Sequence, residues 1–308
     1  MQPAPFDRRA HPAGFMIERW RAPDGWDHRR FSWPQPAGTG VRGSLIVQGG
    51  RGDFIEKYLE AIAHFHCRGW AVEGFDWRGQ GGSGRTADDL RTIPAMVDDL
   101  AAFVAEWQPR TPGPHVLLAH SMGGHVALRL AAERAPAIDA LVLSAPMLGL
   151  SGGRPPGPVG SAIAGLFCRI GLSARDAWAE RGESAFRRVM LTADVDRFSD
   201  EGWWKAADPT LALGPPRWSW IAGAYRSIAA LMAPGILERV RVPTLLLAAA
   251  RDRLVDSRAI RRAAARIPGA RLIVRDDAAH ELLREADGPR TAFLAAIDDF
   301  LDERAAPR

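Results

Sequence analysis

The chain has 308 residues, of which 47% are hydrophobic and 25% charged, and its formal net charge is +4. This composition is typical of a folded globular protein and excludes a disordered chain. Only two cysteines are present, which excludes a disulfide framework and a cysteine-rich zinc site. The basic residues are almost all scattered arginines, which argues against a nucleic-acid-binding surface.

The sequence contains no segment that predicts export or membrane insertion. Residues 1–15 lack the apolar stretch of a signal peptide. The apolar run 159–172 is shorter than the roughly 20 residues that cross a bilayer. We therefore expect a cytoplasmic protein with reduced thiols, whose positive charge favours transient, peripheral contact with an anionic membrane surface.

In chain order, the first two predicted strands flank a Pro-Asp-Gly turn at 23–25 and predict a hairpin of two edge strands. Apolar runs and helical periods then alternate along the chain. The predicted strands cover 15–20, 29–33, 44–47, 70–75, 115–119, 138–144, 244–249 and 271–275, and the predicted helices cover 54–68, 87–107, 126–134, 257–266 and 289–301. This alternation indicates an α/β fold with a mostly parallel sheet that is covered by helices on both faces.

The stretch 146–234, which we call the cap segment, interrupts the alternation because no strands separate its helical parts. We interpret it as a helical cap inserted into a core domain formed by 1–145 and 235–308. The cap segment has a cluster of glycine and proline at 152–158. Its five tryptophans either pack the cap or line an apolar wall for an acyl chain; they are Trp178, Trp203, Trp204, Trp218 and Trp220.

The segment 119–124, Ala-His-Ser-Met-Gly-Gly, lies between a predicted strand and a predicted helix. It matches the small-x-Ser-x-Gly turn of a nucleophile elbow, which exposes a serine hydroxyl above the sheet edge. The backbone at this serine is strained, and small neighbours let the strand and the helix approach each other closely. Ala119 stands where glycine is usual, and its methyl group is small enough to be accepted. The elbow predicts Ser121 as the nucleophile of a serine hydrolase.

A serine hydroxyl needs a base within hydrogen-bond reach, and the base needs a carboxylate that fixes its tautomer. His280 is the only histidine after His125, and it follows the predicted strand 271–275. It therefore lies beyond the carboxyl end of a parallel strand, at the sheet edge where Ser121 is expected. The sequence predicts His280 as the base.

Two aspartates follow the predicted strand 244–249 at the same edge. Asp252 is favoured as the acid because it comes first after the strand. Asp256 stays the alternative, although its place before a predicted helix is typical of a cap residue. Asp276 and Asp277 lie too near the base in sequence to be preferred.

An oxyanion hole needs two N–H donors where negative charge develops. One donor is expected to be the main-chain N–H of Met122, which follows the nucleophile. The other is expected in the glycine-rich loop after strand 44–47, at Gly50 or Arg51, because glycines let the backbone approach a carbonyl group closely.

Three further patterns receive a structural interpretation. Residues 79–84 fit G-x-G-x-x-G but do not open the first βαβ unit, so we interpret them as a tight loop that supports the site. The run His-Phe-His-Cys at 64–67 lies on a predicted helix, where residues two apart diverge, so no metal site is expected. His120 and His125 are expected to be structural.

The chain resembles the lysophospholipase and monoacylglycerol lipase branch of the serine α/β-hydrolases, and bacterial lysophospholipases most of all. The resemblance spans roughly residues 15–301. It rests on these stretches: Gly50-Arg51 with 54–58, Asp76 to Gly81, His120 to Gly124, His280 to Leu283, and in the cap segment Leu191-Thr192 with Arg197 and Leu213 to Pro215 with Trp218.

The resemblance implies an α/β-hydrolase fold with Ser121 as nucleophile, Asp252 as acid and His280 as base. Many relatives have His-Gly at the oxyanion loop, whereas this chain has Gly49-Gly50. Counting back from Tyr58 makes Arg51 the preferred donor of that loop.

The expected function is hydrolysis of carboxylic esters of single-acyl lipids, namely lysophospholipids or monoacylglycerols, without a metal or an organic cofactor. A general carboxylesterase or an acyltransferase on the same scaffold is the alternative, because water and an alcohol attack the same acyl-enzyme. A non-catalytic binding protein that keeps the fold is a third hypothesis. A complete set of serine, aspartate and histidine argues against this third hypothesis.

Overall fold

The computed structural model describes residues 6–38, 40–84, 93–151, 157–178 and 185–307. Within these residues eight strands form one sheet. The strands are β1 (Met16–Arg21), β2 (Asp27–Trp33), β3 (Gly43–Gln48), β4 (Trp70–Phe75), β5 (His115–His120), β6 (Ala140–Ser144), β7 (Thr244–Ala249) and β8 (Arg271–Arg275).

The spatial order of the sheet is β1-β2-β4-β3-β5-β6-β7-β8. From β4 to β8 all neighbouring strands are parallel, whereas β1, β2 and β4 pair antiparallel. This arrangement confirms the predicted mostly parallel sheet with an antiparallel start. The expectation of two edge strands is wrong for β2, because β2 also pairs with β4 through the register Arg30 to Phe75.

Helices cover both faces of the sheet. Every residue of β3, β5, β6 and β7 is buried, as expected for central strands with continuous apolar runs. In the described part of the chain the α-helices are α1 (Leu59–His66), α2 (Ile93–Trp107), α3 (Ser121–Arg134), α4 (Gly157–Phe167), α5 (Ala185–Leu191), α6 (Val195–Ala207), α7 (Trp218–Leu231), α8 (Ser257–Ala264) and α9 (Asp287–Arg304).

The structure adjusts two predicted helices. The helix expected over 54–68 begins as a 3₁₀ turn (Ile55–Tyr58) before α1, and the chain leaves α1 through Gly69 at a positive φ of 87°. The helix expected over 87–107 is described from Ile93 onward, and its first predicted residues lie outside the described residues.

Helices α4 to α7 lie between β6 and β7, where the cap segment was predicted. Its described residues contain no strand, apart from the single-residue bridges Leu150 to Val255 and Asp176 to Arg217. Most of the glycine and proline cluster at 152–158 lies outside the described residues. The division into a core domain and a cap domain stays a prediction. In the described residues, no helix has the combination of length and apolar character that a membrane-crossing segment requires.

Candidate active site

Ser121 lies where β5 ends and α3 begins, and its backbone is left-handed with φ at 51°. A non-glycine residue in this region is strained, and such strain is characteristic of a nucleophile elbow. Close packing surrounds the turn: a Cβ at Gly123 would clash with the main-chain oxygen of Gly49. Ala119 is fully buried and pairs with both β3 and β6, so its methyl group fits the elbow.

His280 and Asp252 complete a hydrogen-bonded row with the serine. Nε2 of His280 lies 2.9 Å from Oγ of Ser121, and Nδ1 of His280 lies 2.7 Å from Oδ2 of Asp252. Asp252 follows β7 and His280 follows β8, so parallel strands bring three residues from distant parts of the chain to one sheet edge. The structure thus brings together the three residues that the sequence predicts for this site.

Burial and charge act in opposite directions on this pair. Burial alone would raise the pKa of Asp252, but His280 and the main-chain N–H groups of Leu254 and Val255 outweigh it and lower that pKa. Burial likewise disfavours charged His280, but the Asp252 carboxylate outweighs it and raises the pKa of the imidazole. The arrangement therefore favours imidazolium next to carboxylate, which is the charge distribution that forms when the serine gives up its proton.

The alternative acids lie elsewhere. Asp256 caps α8 by accepting a hydrogen bond from the Arg258 N–H at 2.9 Å, which is the capping role that the sequence predicts. Asp277 is exposed and forms an ion pair with Arg275. Only Asp252 contacts His280 among the three.

The loop after β3 lies against Ser121. A Cβ on Gly50 would stand 3.0 Å from Cβ of Ser121, so any other residue would crowd the serine here. The main-chain N–H of Gly50 is already engaged, because it donates to Oδ2 of Asp53 at 2.5 Å. This engagement favours Arg51 over Gly50 as the donor that this loop offers to a substrate.

The glycine-rich loop 79–84 contacts the loop after β3, in agreement with its predicted supporting role. Oε1 of Gln80 accepts the N–H of Gly52 at 2.6 Å. The loop also encloses Asp76, which accepts N–H groups from Gly82 and Ile55, each at 2.9 Å. Burial raises the pKa of Asp76 to about 6.

Sequence reasoning missed a buried charge network beneath the site. Nζ of Lys57 lies 2.5 Å from Asp53, 2.9 Å from Glu281 and 3.2 Å from Glu201, and all four side chains are buried. Burial lowers the pKa of Lys57, but the surrounding carboxylates outweigh it, so the ammonium stays charged. Lys57 therefore joins the loop after β3, the residue that follows His280, and helix α6 of the cap segment.

The carboxylate of Asp53 transmits this network to the loop. Its Oδ2 accepts both the Gly50 N–H and the Tyr58 hydroxyl, the latter at 2.6 Å. Burial raises the pKa of Asp53, but Lys57 outweighs it and the carboxylate stays ionised. The sequence does contain a signal for this network, because Lys57 and Glu281 lie within short, mostly apolar stretches that resemble a known family. Their partners are far apart in the chain, so spacing alone gave no role.

His120 and His125 lie on either side of Ser121 in the sequence and make structural contacts, as expected. Nδ1 of His120 lies 3.1 Å from the Ser144 main-chain oxygen, and Nε2 of His125 lies 2.6 Å from Oγ of Ser227 on α7. Burial lowers the pKa of His120 to about 4 and that of His125 to about 3, so both are neutral near pH 7. His120 also packs against the His280 ring, with the ring centroids 4.7 Å apart.

The two histidines of the 64–67 run make separate contacts. Nε2 of His64 lies 2.9 Å from Asp298, whereas His66 stacks on Trp33 with the ring centroids 3.8 Å apart. Each imidazole is thus engaged separately, one by a carboxylate and the other by an indole ring.

The cap tryptophans divide into different environments. Trp218 stacks on Phe167, with the ring centroids 4.2 Å apart, and Trp204 donates to the Arg8 main-chain oxygen at 3.0 Å. Trp178 and Trp203 are exposed. Trp220 is buried and lies next to the Arg51 guanidinium of the loop after β3.

Comparisons with known proteins show the family and the fold. The family model Hydrolase_4, described as "Serine aminopeptidase, S33", matches residues 39–287. Lysophospholipase L2 of Escherichia coli K12 is 33% identical over 285 residues, covering 85% of this chain and 81% of that protein. The probable lysophospholipase L2 of Haemophilus influenzae is 28% identical over 284 residues, covering 89% of this chain and 88% of that protein.

A solved structure also matches nearly the whole chain. A soluble variant of monoglyceride lipase from Saccharomyces cerevisiae, in complex with a substrate analog, superposes with a TM-score of 0.77 and 18% identity. The match covers 98% of this chain and 100% of that one. At this identity the likeness concerns the fold, which is that of the α/β-hydrolases.

Proposed function

The chain belongs to the Hydrolase_4 (S33) family of serine α/β-hydrolases and is a carboxylic-ester hydrolase, and from this premise we propose that it cleaves single-acyl lipid esters through an acyl-enzyme on Ser121. The observation that carries the proposal is the hydrogen-bonded row from Ser121 through His280 to Asp252. The likeness to lysophospholipase L2 of Escherichia coli supports lysophospholipids as substrates, and monoacylglycerols share the same ester.

In the first step, Oγ of Ser121 attacks the ester carbonyl carbon while Nε2 of His280 takes the hydroxyl proton. The 2.9 Å separation of these atoms suits that transfer without a change of backbone. Asp252 accepts the Nδ1–H of His280, which fixes the tautomer and stabilises the imidazolium.

The negative charge of the tetrahedral intermediate falls on the former carbonyl oxygen. The main-chain N–H groups of Met122 and Arg51 hold this oxyanion, and the amino-terminal end of α3 adds its dipole. The network of Asp53 and Lys57 holds the loop that carries Arg51 at a fixed distance from the serine.

When the intermediate collapses, the ester C–O bond breaks and His280 gives its proton to the leaving alcohol. Water then attacks the acyl-enzyme, and His280 takes a proton from it and returns one to Oγ of Ser121. The products are a fatty acid and the deacylated head group.

Membrane contact is the second part of the proposal, because a single-acyl lipid reaches the enzyme from a lipid surface. Helix α4 carries exposed aliphatic side chains at Val159, Ile163 and Leu166, which share one face at helical spacing. We assign this face to a lipid surface, where its side chains would leave water.

The test is a chain-length series of p-nitrophenyl esters, run beside lysophosphatidylcholine and a monoacylglycerol, with Ser121→Ala as the matched blank. We expect serine-dependent turnover that rises with acyl length and releases fatty acid from at least one lipid. Loss of the nucleophile should lower kcat by on the order of 10³-fold or more. Turnover that survives in Ser121→Ala would overturn the mechanism, and turnover confined to short esters would replace the lipid substrate with a general ester.

A further inference from the structure

Arg51 places a guanidinium between the loop after β3 and the cap segment. Nη2 donates to the main-chain oxygen of Gly214 at 2.9 Å, and the guanidinium carbon lies 5.1 Å from the centre of the Trp220 ring. These contacts orient the side chain without neutralising its charge.

Two other arginines, buried Arg284 and partly buried Arg29, have carboxylate partners, whereas partly buried Arg51 has none within ion-pair distance in the described part of the chain. Arg284 pairs with Glu281, and Arg29 pairs with Glu56 and Asp76. Burial lowers the pKa of Arg51 to about 10, and a more distant carboxylate at Asp176 offsets this only in part. A charge that is partly removed from water without a charged partner costs free energy, which an anionic ligand would offset.

Two buried donors at this place also lack an acceptor. Nε of Arg51 and Nε1 of Trp220 are both shielded from solvent and have no hydrogen-bond partner among the described residues. A buried N–H without an acceptor costs about 1–3 kcal/mol, so a ligand that supplied an acceptor to both groups would gain that free energy on binding.

The position of Arg51 relates this place to the reaction. Its side chain branches from the loop that lies against Ser121, and its own N–H is the proposed donor to the oxyanion. A group that accepts hydrogen bonds from the donors beside Trp220 would therefore belong to the same substrate molecule as an ester held at Ser121.

We propose that the Arg51 guanidinium, together with the indole N–H of Trp220, binds the phosphodiester of a lysophospholipid head group while the acyl ester lies at Ser121. This inference rests on the proposed function and selects lysophospholipids over monoacylglycerols as the preferred class.

The chemistry of the place favours a phosphodiester. A phosphodiester carries one negative charge and several acceptor oxygens, which match a planar guanidinium with free donors. A monoacylglycerol offers uncharged hydroxyl groups and would leave the guanidinium without a counter-charge. The fatty-acid carboxylate forms at the serine, on the other side of the scissile bond from the head group.

The experiment compares kcat/KM for lysophosphatidylcholine and for a monoacylglycerol of the same acyl chain in wild type and Arg51→Gln. We expect their ratio to fall at least tenfold in the variant, mainly through KM for the phospholipid, because head-group binding acts before and during the reaction. The ratio is used because replacing Arg51 also perturbs the loop that carries the oxyanion donor. Arg226→Gln, an exposed arginine on the same helix as Trp220, is the matched control and should leave the ratio within about twofold.

Arg51→Lys keeps the charge but loses Nε and the planar arrangement of donors, so its ratio should fall between those of wild type and Arg51→Gln. It also keeps the proposal testable if Arg51→Gln does not fold, which a thermal unfolding curve will show. A ratio that stays within twofold in the folded variants would overturn the proposal.

A competition experiment distinguishes free phosphate from the lipid head group as the ligand of Arg51. Inorganic phosphate that inhibits wild type but not Arg51→Gln, with an unchanged lipid ratio, would assign the place to a free anion and overturn the head-group inference. Failure of the proposed function looks different, because wild type would then hydrolyse neither lipid or Ser121→Ala would remain active.

Discussion

The sheet and the cap segment differ in how far their apolar side chains are buried. The central strands β3, β5, β6 and β7 are buried along their whole length. Most of the large apolar side chains that are exposed among the described residues belong instead to the cap segment; they are Val159, Ile163, Leu166, Ile170, Trp178, Phe186, Val189, Val195 and Trp203.

This difference assigns separate tasks to the two regions. A fully packed sheet fixes its strand ends, and reacting groups must be held in a fixed geometry to be useful. Exposed apolar side chains on helices contribute little to packing, and such patches mark surfaces that contact a partner or a lipid. We therefore propose that the chemistry takes place at the sheet edge and that the cap segment, with the loop beneath it, recognises the lipid.

The largest expected effect tests the chemistry at the sheet edge. Asp252→Asn should lower kcat by on the order of 10³–10⁴-fold, because the amide cannot stabilise the imidazolium or fix its productive tautomer. Asp256→Asn is the matched control at the next aspartate along the chain. It should keep activity within about twofold, because asparagine is about as good a helix cap as aspartate. The measurement is the initial rate on a short p-nitrophenyl ester. A larger loss of rate in Asp256→Asn than in Asp252→Asn would make Asp256 the acid in place of Asp252.

The second prediction concerns the link between the two regions. Lys57→Met leaves Asp53, Glu201 and Glu281 buried without their shared cation. Removing one partner from such a buried network should lower the free energy of unfolding by about 3–5 kcal/mol.

The chain supplies its own control, because its second lysine also pairs with Glu201. Lys205 is only half-buried, so Lys205→Met should cost less than about 1 kcal/mol. Urea unfolding of both variants measures the difference. Equal losses of unfolding free energy would mean that the Lys57 network does not couple the sheet to the cap segment more strongly than the Lys205 pair does.

The same contrast explains what the sequence could predict. Strands β4, β7 and β8 have the predicted bounds, because each is a short, mostly apolar run next to a residue that interrupts it: Gly69 before β4, Pro243 before β7 and Asp276 after β8. Ser121, His280 and Asp252 were found because a motif and two strand ends point to one edge. The Lys57 network was not found, because its carboxylates lie up to 224 residues from the lysine in sequence and no local period records that contact.

Placement of Arg51 beside Trp220 is a further contact that local patterns do not contain. The sequence predicted a donor in the loop after β3 and tryptophans in the cap segment, each from its own neighbourhood. Their contact depends on how α7 packs on the core, which tertiary structure alone decides.

The third prediction is a pH profile that reports on the sheet edge. His280 must be neutral to accept the serine proton, and Asp252 raises its pKa above the ordinary value of 6.5 against the effect of burial. As pH rises through this raised pKa the imidazole loses its proton, so kcat/KM should rise with a midpoint above 6.5. Asp252→Asn should move this midpoint to lower pH. A wild-type midpoint below 6.5 would mean that burial outweighs the carboxylate.

The smallest expected effect tests the cap surface. Ile163→Ser with Leu166→Ser removes two exposed aliphatic side chains from one face of α4, where Leu166 is 58% exposed. Partial insertion of two such side chains contributes about 1.4 kcal/mol, so partition onto phospholipid vesicles should fall about tenfold.

Val41→Ser is the control for this surface. Val41 is 39% exposed but precedes the amino end of β3, away from the carboxyl ends that carry Ser121 and His280. Its replacement should leave vesicle partition unchanged, and both variants should keep wild-type rates on a soluble short ester. Equal partition of the two variants would move lipid contact away from α4. Loss of short-ester activity in the α4 variant would instead show that this helix supports the chemistry, which would break the division between sheet and cap.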